Sequence, residues 1–189
     1  MIANSTKIPG LLSIYVTRHG DGRGFFAETY NQRAFSGAGI DVVFVQDNHS
    51  VSELSGTVRG LHYQAAPHAQ AKLVRCGRGS LFDVAVDIRI GSPTYGHWHG
   101  EVLSSENGRQ LYIPEGFAHG FMTLMDDTEI VYKCSDFYAP DCEGTVRFDD
   151  PGIGIVWPDL GFVPTLSDKD ARAPLLNDIN SPFKFEGST

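Results

Sequence analysis

The sequence predicts an all-β fold of the jelly-roll type, a β-sandwich or barrel with a few short helices. Three observations lead to this prediction. Apolar and polar residues alternate with a period of two along many short segments, which is typical of strands with two different faces. Turn-forming residues separate these segments at regular intervals, and helical periodicity is rare. Many short strands at regular spacing are typical of a sandwich or barrel.

The alternation is clearest in LFDVAVDI at residues 81–88, where Phe82 and every second residue after it share one face. The other face carries Asp83 and Asp87, and we interpret Asp83 as a possible support for a site. Strands are predicted at residues 11–16, 42–46, 56–64, 70–75, 81–88, 97–103, 110–113, 120–124, 129–135 and 145–148. The turn signals between them are GDG at 20–22, GRG at 77–79, GSP at 91–93, NG at 107–108 and DD at 126–127.

Two short helices are predicted, at residues 31–38 and 167–171. Ser167 is a suitable N-cap for the second helix because acidic residues follow it directly. The chain after Pro174 is interpreted as a loop or a packed arm. With 189 residues and no linker or repeat, the sequence predicts one domain over residues 1–189.

Composition restricts the classes of function. The formal net charge of −8 argues against general binding to nucleic acid or anionic membranes, although a few local cations suffice for a small anionic ligand. No apolar run approaches the length of a membrane span, and the N-terminus does not resemble a signal peptide. Cys76, Cys134 and Cys142 form no CxxC pair, which favours free thiols in a cytoplasmic protein.

Residues 108–119 contain the pattern G-x5-P-x-G-x-x-H, which resembles the second conserved motif of the cupin jelly rolls. Metal-binding cupins normally add an H-x-H pair, but the matching stretch here is His62-Tyr63-Gln64. Only His62 and His119 are then available as ligands, fewer than a metal site usually needs. A second H-x-H, His97 to His99, is interpreted as a solvated strand face. The sequence therefore predicts a site without metal.

Seven stretches in register resemble the dTDP-4-dehydrorhamnose 3,5-epimerase family, and they run from about Ile8 to the SDKD segment at 167–170. The stretches are DGRGFFAE at 21–28, VQDNHS at 45–50, GTVRGLHYQ at 56–64, QAKLVR at 70–75, SPT at 92–94, PEGFAHG at 114–120 and YKCSDFYAP at 132–140. The resemblance implies a cupin-type jelly roll that epimerises C3 and C5 of dTDP-4-dehydro-6-deoxy-D-glucose through an enolate. It implies a homodimer whose N-terminal region reaches the partner's site, and it requires no cofactor.

The resemblance also implies the roles of individual residues. His62 is the base and Asp170 orients it, Lys72 stabilises the enolate oxygen, and Tyr132 is the acid on the opposite face of the sugar. Arg23 and Arg59 suit the diphosphate because a guanidinium can bind two oxygens at once. The remaining implied substrate contacts are Gln46, Asn48, His119, Glu28, Glu143, Lys169 and Tyr138, the last stacking on the pyrimidine.

The sequence departs from the family pattern at Phe148-Asp149-Asp150-Pro151, where a Trp-Asn pair often precedes the Asp-Pro, and in the loosely matched segment 65–68. These departures leave open the nucleotide and the extent of epimerisation. The first alternative is an epimerase that acts only at C3 or only at C5. Two others are a metal-dependent cupin oxygenase and a sugar-binding jelly roll without catalytic activity.

Overall fold

The computed structural model describes residues 1–187, and most of its regular structure is β-strand. The strands are β1 (Ile2–Ser5), β2 (Leu12–Tyr15), β3 (His19–Asp21), β4 (Gly24–Phe26), β5 (Gln46–Ser52), β6 (Val58–Gln64), β7 (Lys72–Arg78), β8 (Ser80–Asp87), β9 (Trp98–Ser104), β10 (Arg109–Ile113), β11 (Phe117–Thr123), β12 (Thr128–Cys134) and β13 (Glu143–Thr145). The helices are α1 (Gln32–Ser36) and α2 (Asp168–Ala171), and short 3-10 turns lie at Pro140–Cys142 and Leu176–Asp178.

The strands form two antiparallel sheets and a separate hairpin. The larger sheet has the order β1-β2-β10-β7-β12-β5, and the smaller has the order β13-β6-β11-β8-β9. Strands β3 and β4 pair only with each other. Most neighbouring strands in both sheets come from distant parts of the sequence, as in a jelly roll, and the predicted fold class is confirmed.

The core explains why both faces of β8 are buried. Leu81 and Ala85 pack between the two sheets against residues of β7, β10 and β12. Val84 and Val86 pack on the other side, where residues 146–183 cover the smaller sheet. The alternation predicted for this strand is thus present, but neither face meets water, because the C-terminal part of the chain folds back as a packed arm.

The strand predicted at 42–46 is wrong. Residues 42–45 have no regular structure, and the strand begins at Gln46, where the prediction ended. Val42 and Phe44 instead pack with Phe35 and Ile40 against the larger sheet. Their alternation reflects packing on a sheet and not membership of one, which the pattern of apolar residues does not distinguish.

Other boundaries moved by smaller amounts. The last strand covers Glu143–Thr145 and not 145–148, while β1, β3 and β4 were not predicted. The turn signal near residue 21 is real, and the β3–β4 hairpin turns at Gly22 and Arg23. None of the helices described in the structure has the length and apolar character needed to cross a membrane.

The helix predicted at 167–171 is present as α2, and its cap has the predicted form. The Ser167 side chain accepts a hydrogen bond from the Asp170 N–H at 3.1 Å. This cap satisfies an N–H at the start of the helix that has no partner within it. The turn directs the Asp170 side chain into the protein, where it is buried against β6.

Candidate active site

A cleft lies between the two sheets where β5, β7 and β12 face β6 and β13. Seven of the thirteen predicted site residues line it. The lining residues are Gln46, Asn48, His62, Tyr63, Gln64, Gln70, Lys72, Tyr132, Tyr138 and Glu143. The cleft therefore combines side chains from both sheets, which lie far apart in the sequence.

A short polar contact joins His62 in the cleft to Asp170. His62 Nε2 lies 2.6 Å from Asp170 Oδ1, and the Gly60 N–H donates to Asp170 Oδ2 at 3.4 Å. The Asp170 side chain is 5% exposed and that of His62 is 30% exposed, so the imidazole is the part of the pair that solvent or substrate reaches. Because a carboxylate accepts hydrogen bonds, it holds the hydrogen on Nε2 and leaves the lone pair on Nδ1.

The pKa of His62 is lowered from its ordinary value. Burial is the main cause, and Asp170 opposes it by favouring the charged ring, while Lys72 and Lys169 lower the pKa further. A lowered pKa keeps the imidazole neutral near neutral pH. His62 is therefore able to accept a proton.

Two glycines let β6 and β11 approach closely beside His62. Gly60 has a φ of +121°, and a Cβ built there would lie 2.6 Å from the Gly120 Cα. The register between the strands shifts next to this point, and His119 stands opposite His62. A larger side chain at residue 60 would separate the strands and move both histidines.

His119 is held by a second buried carboxylate. Its Nε2 lies 2.8 Å from Asp83 Oδ1, and Asp83 is fully buried on β8. The His119 side chain is also buried, so it supports the cleft from behind its open surface. The role suggested for Asp83 by the sequence agrees with this contact.

The opposite wall of the cleft carries Lys72 and Tyr132. Burial lowers the pKa of the Lys72 ammonium, although Cys134 and Asp83 oppose the shift. Burial is also the main cause that raises the pKa of the half-buried Tyr132, whose hydroxyl consequently stays protonated near neutral pH. The cleft thus places a neutral base on one sheet and a hydroxyl donor on the other.

The mouth of the cleft has a network of charged and aromatic residues. Lys169 Nζ lies 2.6 Å from Glu143 Oε2, and the Tyr138 hydroxyl donates to the same oxygen at 3.3 Å. Burial raises the pKa of Glu143, but Lys169, with smaller contributions from His62 and Tyr138, holds the pKa below its usual range. Tyr138 is largely exposed, so one face of its ring is available to a ligand.

Three further predicted contacts lie on β5 and β6. Gln46 and Asn48 lie on β5, and the Gln46 amide donates to the Asn48 side-chain oxygen at 3.1 Å. Arg59 is exposed on β6, where its Nε is 3.4 Å from Ser52 Oγ. Arg59 lies close enough to Tyr132 to lower its pKa, in opposition to burial.

Arg23 and Glu28 are not brought into the cleft of their own protomer. Arg23 lies at the turn of the β3–β4 hairpin, with its side chain 91% exposed and paired to Asp21 at 2.5 Å. Glu28 is exposed just after the hairpin. Neither residue lines the cleft, so a single chain does not explain how they would contact the same ligand as His62.

Sequence reasoning missed Gln64 and Gln70 as lining residues of the cleft. The signal for Gln64 was present, because it follows His62 by two places on a strand and therefore shares its face. Phe148, at the departure from the family pattern, packs 6.1 Å from the Trp157 ring and lies outside the cleft lining.

The interpretation of His97 and His99 needs a correction. His97 is exposed and precedes β9, but His99 is half-buried with its Nε2 3.9 Å from Glu101 Oε2. The pair therefore does not form one solvated face. Within residues 1–187, no group of three or more His, Cys, Asp or Glu side chains gathers at metal-binding distance.

The three cysteines are free thiols. Cys76 and Cys134 are buried, and burial raises the pKa of Cys76 to about 11. A thiol with so high a pKa is a poor nucleophile at neutral pH.

Comparison with known proteins gives a consistent result. A family model described as dTDP-4-dehydrorhamnose 3,5-epimerase matches residues 5–178. A protein of that name from Salmonella typhimurium is 53% identical over 178 residues, which cover 94% of this chain and 96% of the relative. Another from Pseudomonas aeruginosa is 51% identical over 181 residues, which cover 95% and 98% of the two chains.

Two solved structures are informative. A 3,5-epimerase from Legionella pneumophila in complex with dTDP-4-keto-L-rhamnose superposes with a TM-score of 0.94 at 46% identity, covering 98% of this chain and 99% of the other. A 3'-monoepimerase from Streptomyces bikiniensis in complex with dTDP-quinovose has a TM-score of 0.86 at 41% identity, covering 91% and 86%. The same fold thus serves epimerases of both scopes.

Proposed function

This chain belongs to the dTDP-4-dehydrorhamnose 3,5-epimerase family, and on that premise we propose that the cleft between β6 and β12 is its active site. The protein is an isomerase of dTDP-L-rhamnose biosynthesis. It epimerises C3 and C5 of dTDP-4-dehydro-6-deoxy-D-glucose to form dTDP-4-dehydro-L-rhamnose. The observation that carries the assignment of the cleft is the His62–Asp170 pair, which lies across from Tyr132 on the other sheet.

The chemistry needs a base, a stabiliser of negative charge and an acid. The C4 ketone acidifies the protons at C3 and C5, and His62 Nδ1 removes one of them. The C–H electron pair forms a double bond to C4, and the π electrons of the ketone move onto its oxygen, which becomes the enolate oxygen. His62 becomes an imidazolium, which Asp170 stabilises through the hydrogen bond of 2.6 Å.

Lys72 and Tyr132 complete the step from the opposite wall. The Lys72 ammonium stabilises the enolate oxygen, because a half-buried cation acts strongly where little water competes. Tyr132 returns a proton to the carbon from the opposite face, which inverts its configuration. The raised pKa of the phenol suits a donor better than a base. This reaction requires neither a metal nor a redox cofactor.

The mouth of the cleft suits the nucleotide part of the substrate. Tyr138 offers an exposed ring for stacking on the pyrimidine, and Arg59 offers a guanidinium for the diphosphate. Glu143 accepts hydrogen bonds at the same place, where Lys169 neutralises its charge. The remaining contacts that we propose are the polar side chains of Gln46 and Asn48, while the buried His119 acts from behind the lining of the cleft.

Arg23 and Glu28 act in the site of a partner protomer. Both lie outside the cleft of their own chain, and the hairpin beside them exposes Phe25 and Phe26 by 60% and 71%. A homodimer with two-fold symmetry would cover such apolar side chains and bring each hairpin to the other subunit's cleft.

The two sheets and their shared core support a single domain over residues 1–189. Free thiols and the net charge of −8 support a cytoplasmic enzyme that binds neither nucleic acid nor membrane.

The test is turnover of dTDP-4-dehydro-6-deoxy-D-glucose in D2O, followed by mass spectrometry and NMR. Deuterium at both C3 and C5, with a product that a rhamnose-forming reductase accepts, is the expected result. Deuterium at one carbon alone would establish the second candidate, a single-site epimerase, which the similarity to the 3'-monoepimerase keeps open. A product with deuterium at neither carbon would refute the proposed chemistry.

A further inference from the structure

We infer that Gln64 is a positioning residue for nucleotide binding: its side-chain amide holds the segment 136–139 so that Tyr138 presents its ring at the cleft. This inference rests on the proposed function, because it takes Tyr138 as the residue that contacts the nucleotide base. It concerns a residue that would not itself contact the reacting atoms.

The Gln64 side chain is almost fully engaged by backbone groups. Gln64 is 5% exposed, and its amide nitrogen donates to the carbonyl oxygens of Phe137, at 2.9 Å, and of His68. Its amide oxygen accepts from the Ala139 N–H at 2.8 Å. One buried side chain thus joins the end of β6 to two loops, 65–68 and 136–139.

Two further glutamines hold the same segment. Gln70 Nε2 donates to the Asp136 carbonyl at 2.7 Å, and Gln46 Oε1 accepts from the Tyr138 N–H at 2.9 Å. Each of the four consecutive residues 136–139 therefore has a backbone group bonded to a glutamine side chain. We call Gln46, Gln64 and Gln70 the glutamine cradle, and all three line the cleft.

The segment needs this support because its two aromatic side chains add little packing. Residues 135–139 follow β12 outside any strand, and Phe137 and Tyr138 are 63% and 59% exposed. The direction of the Tyr138 ring therefore depends on its backbone and on the hydrogen bond from its hydroxyl to Glu143. A backbone already held in place loses less freedom when the base binds, which strengthens binding.

The chemistry of the side chain explains why glutamine stands at this position. A neutral amide offers two N–H donors and a carbonyl acceptor, which match two backbone carbonyls and one N–H. A histidine, the residue that completes an H-x-H pair, has two ring nitrogens and cannot bond three backbone groups at once. The position that could complete a metal site therefore has a side chain that organises the nucleotide end of the cleft.

The test compares Gln64→Leu with the unchanged protein, using calorimetric titration with dTDP and steady-state kinetics. The expected result is that the Kd for dTDP and the KM for the substrate rise about tenfold, the scale of a lost base–aromatic stack. The kcat should stay within about threefold, because the proton-transfer residues are not changed. In a Tyr138→Ala background, the same substitution should change the Kd by less than about twofold, since the ring has already been removed.

Thr128→Val is the matched control. Thr128 is fully buried at the far end of β12, and its hydroxyl donates to the Met125 carbonyl at 2.7 Å. Loss of this hydrogen bond in Thr128→Val should lower the Tm without changing the Kd for dTDP. If Gln64→Leu does not fold, Gln70→Leu removes a single bond to the same segment and serves in its place.

An unchanged Kd in the folded Gln64→Leu variant would overturn the inference. An undiminished effect in the Tyr138→Ala background would also overturn it, because Gln64 would then act through the fold in general. If the unchanged protein binds no dTDP, the proposed function itself fails. The behaviour of the unchanged protein thus separates failure of the function from failure of the positioning role.

Discussion

His62 Nε2 lies 2.6 Å from Asp170 Oδ1, although 108 residues separate them in the chain. Strand β6 supplies the imidazole, and the capped turn of α2 supplies the carboxylate. The contact holds the hydrogen on Nε2 and leaves the lone pair on Nδ1. This one relationship gives direct expectations for activity and for its dependence on pH.

Replacing His62 by asparagine should abolish proton exchange and leave nucleotide binding intact. We expect the rate of deuterium incorporation to fall by about 10²- to 10⁴-fold, the usual contribution of a general base. The Kd for dTDP should stay within about twofold of its value in the unchanged protein, since His62 is proposed to contact only the sugar ring. His97→Asn, a change at an exposed histidine outside the cleft, is the control. Exchange at the unchanged rate in His62→Asn would show that another group is the base.

The kcat/KM of the unchanged enzyme should fall on the acidic side with a midpoint below pH 6.5, the ordinary pKa of histidine. The sign follows because the base must be neutral and burial lowers the pKa of His62. In Asp170→Asn this midpoint should move to still lower pH, because the carboxylate is the group that raises the pKa. Activity at the optimum should fall by about a hundredfold or more. A pH–rate profile of both proteins checks this, and a midpoint that rises in the variant would contradict it.

Tyr132→Phe should reduce epimerisation by at least about tenfold and affect exchange much less. Exchange needs only the base on one wall of the cleft, whereas inversion needs a donor on the other. The two rates are measured in the same D2O reaction by mass spectrometry and NMR. Tyr95→Phe, at a partly buried tyrosine packed outside the cleft, controls for the loss of a hydroxyl. Equal losses of both rates would argue against the role of an opposite-face acid.

Arg23 can be tested by mixing inactive subunits. If Arg23 serves the partner's site, each dimer of one Arg23→Ala and one His62→Ala protomer contains one intact site. Random reassociation of equal amounts should then restore about a quarter of the activity of the unchanged enzyme. The activity of each variant alone and of the mixture gives the answer. No recovery, despite dimers of mixed composition detected by mass spectrometry, would place Arg23 in its own protomer's site or outside both.

Activity should not depend on a metal ion. Prolonged treatment with EDTA should leave kcat unchanged within about twofold, since enolate formation here relies on Lys72 for charge stabilisation. Metal analysis of protein purified without a tag should find less than one ion per chain. Loss of activity on chelation, with recovery on addition of a divalent ion, would favour the metal-dependent alternative.

The sequence predicted the fold class better than it predicted the boundaries of the strands. Alternation identified β8 and the strands around it, because a period of two follows from strand geometry in any context. The strand predicted at 42–46 is wrong over residues 42–45. Val42 and Phe44 alternate with exposed residues because they pack on the surface of the sheet, outside its hydrogen-bond ladder. Short polar strands such as β3 and β4 carry too few apolar residues to form a pattern.

The resemblance of its motifs allowed the sequence to name the family and its epimerisation, and to propose the reacting groups. A local pattern reports what a residue can do, and His62, Lys72 and Tyr132 each have the functional group that the step needs. Their spatial arrangement depends on contacts between distant segments, and local patterns do not encode which strands pair. Folding into two sheets placed His62 and Tyr132 on opposite walls, buried Asp170 beside His62 and kept Arg23 outside the cleft. In the sequence, Gln64 is only the residue that replaces the second histidine of an H-x-H pair. In the folded protein it has three backbone partners, which only folding brings within reach.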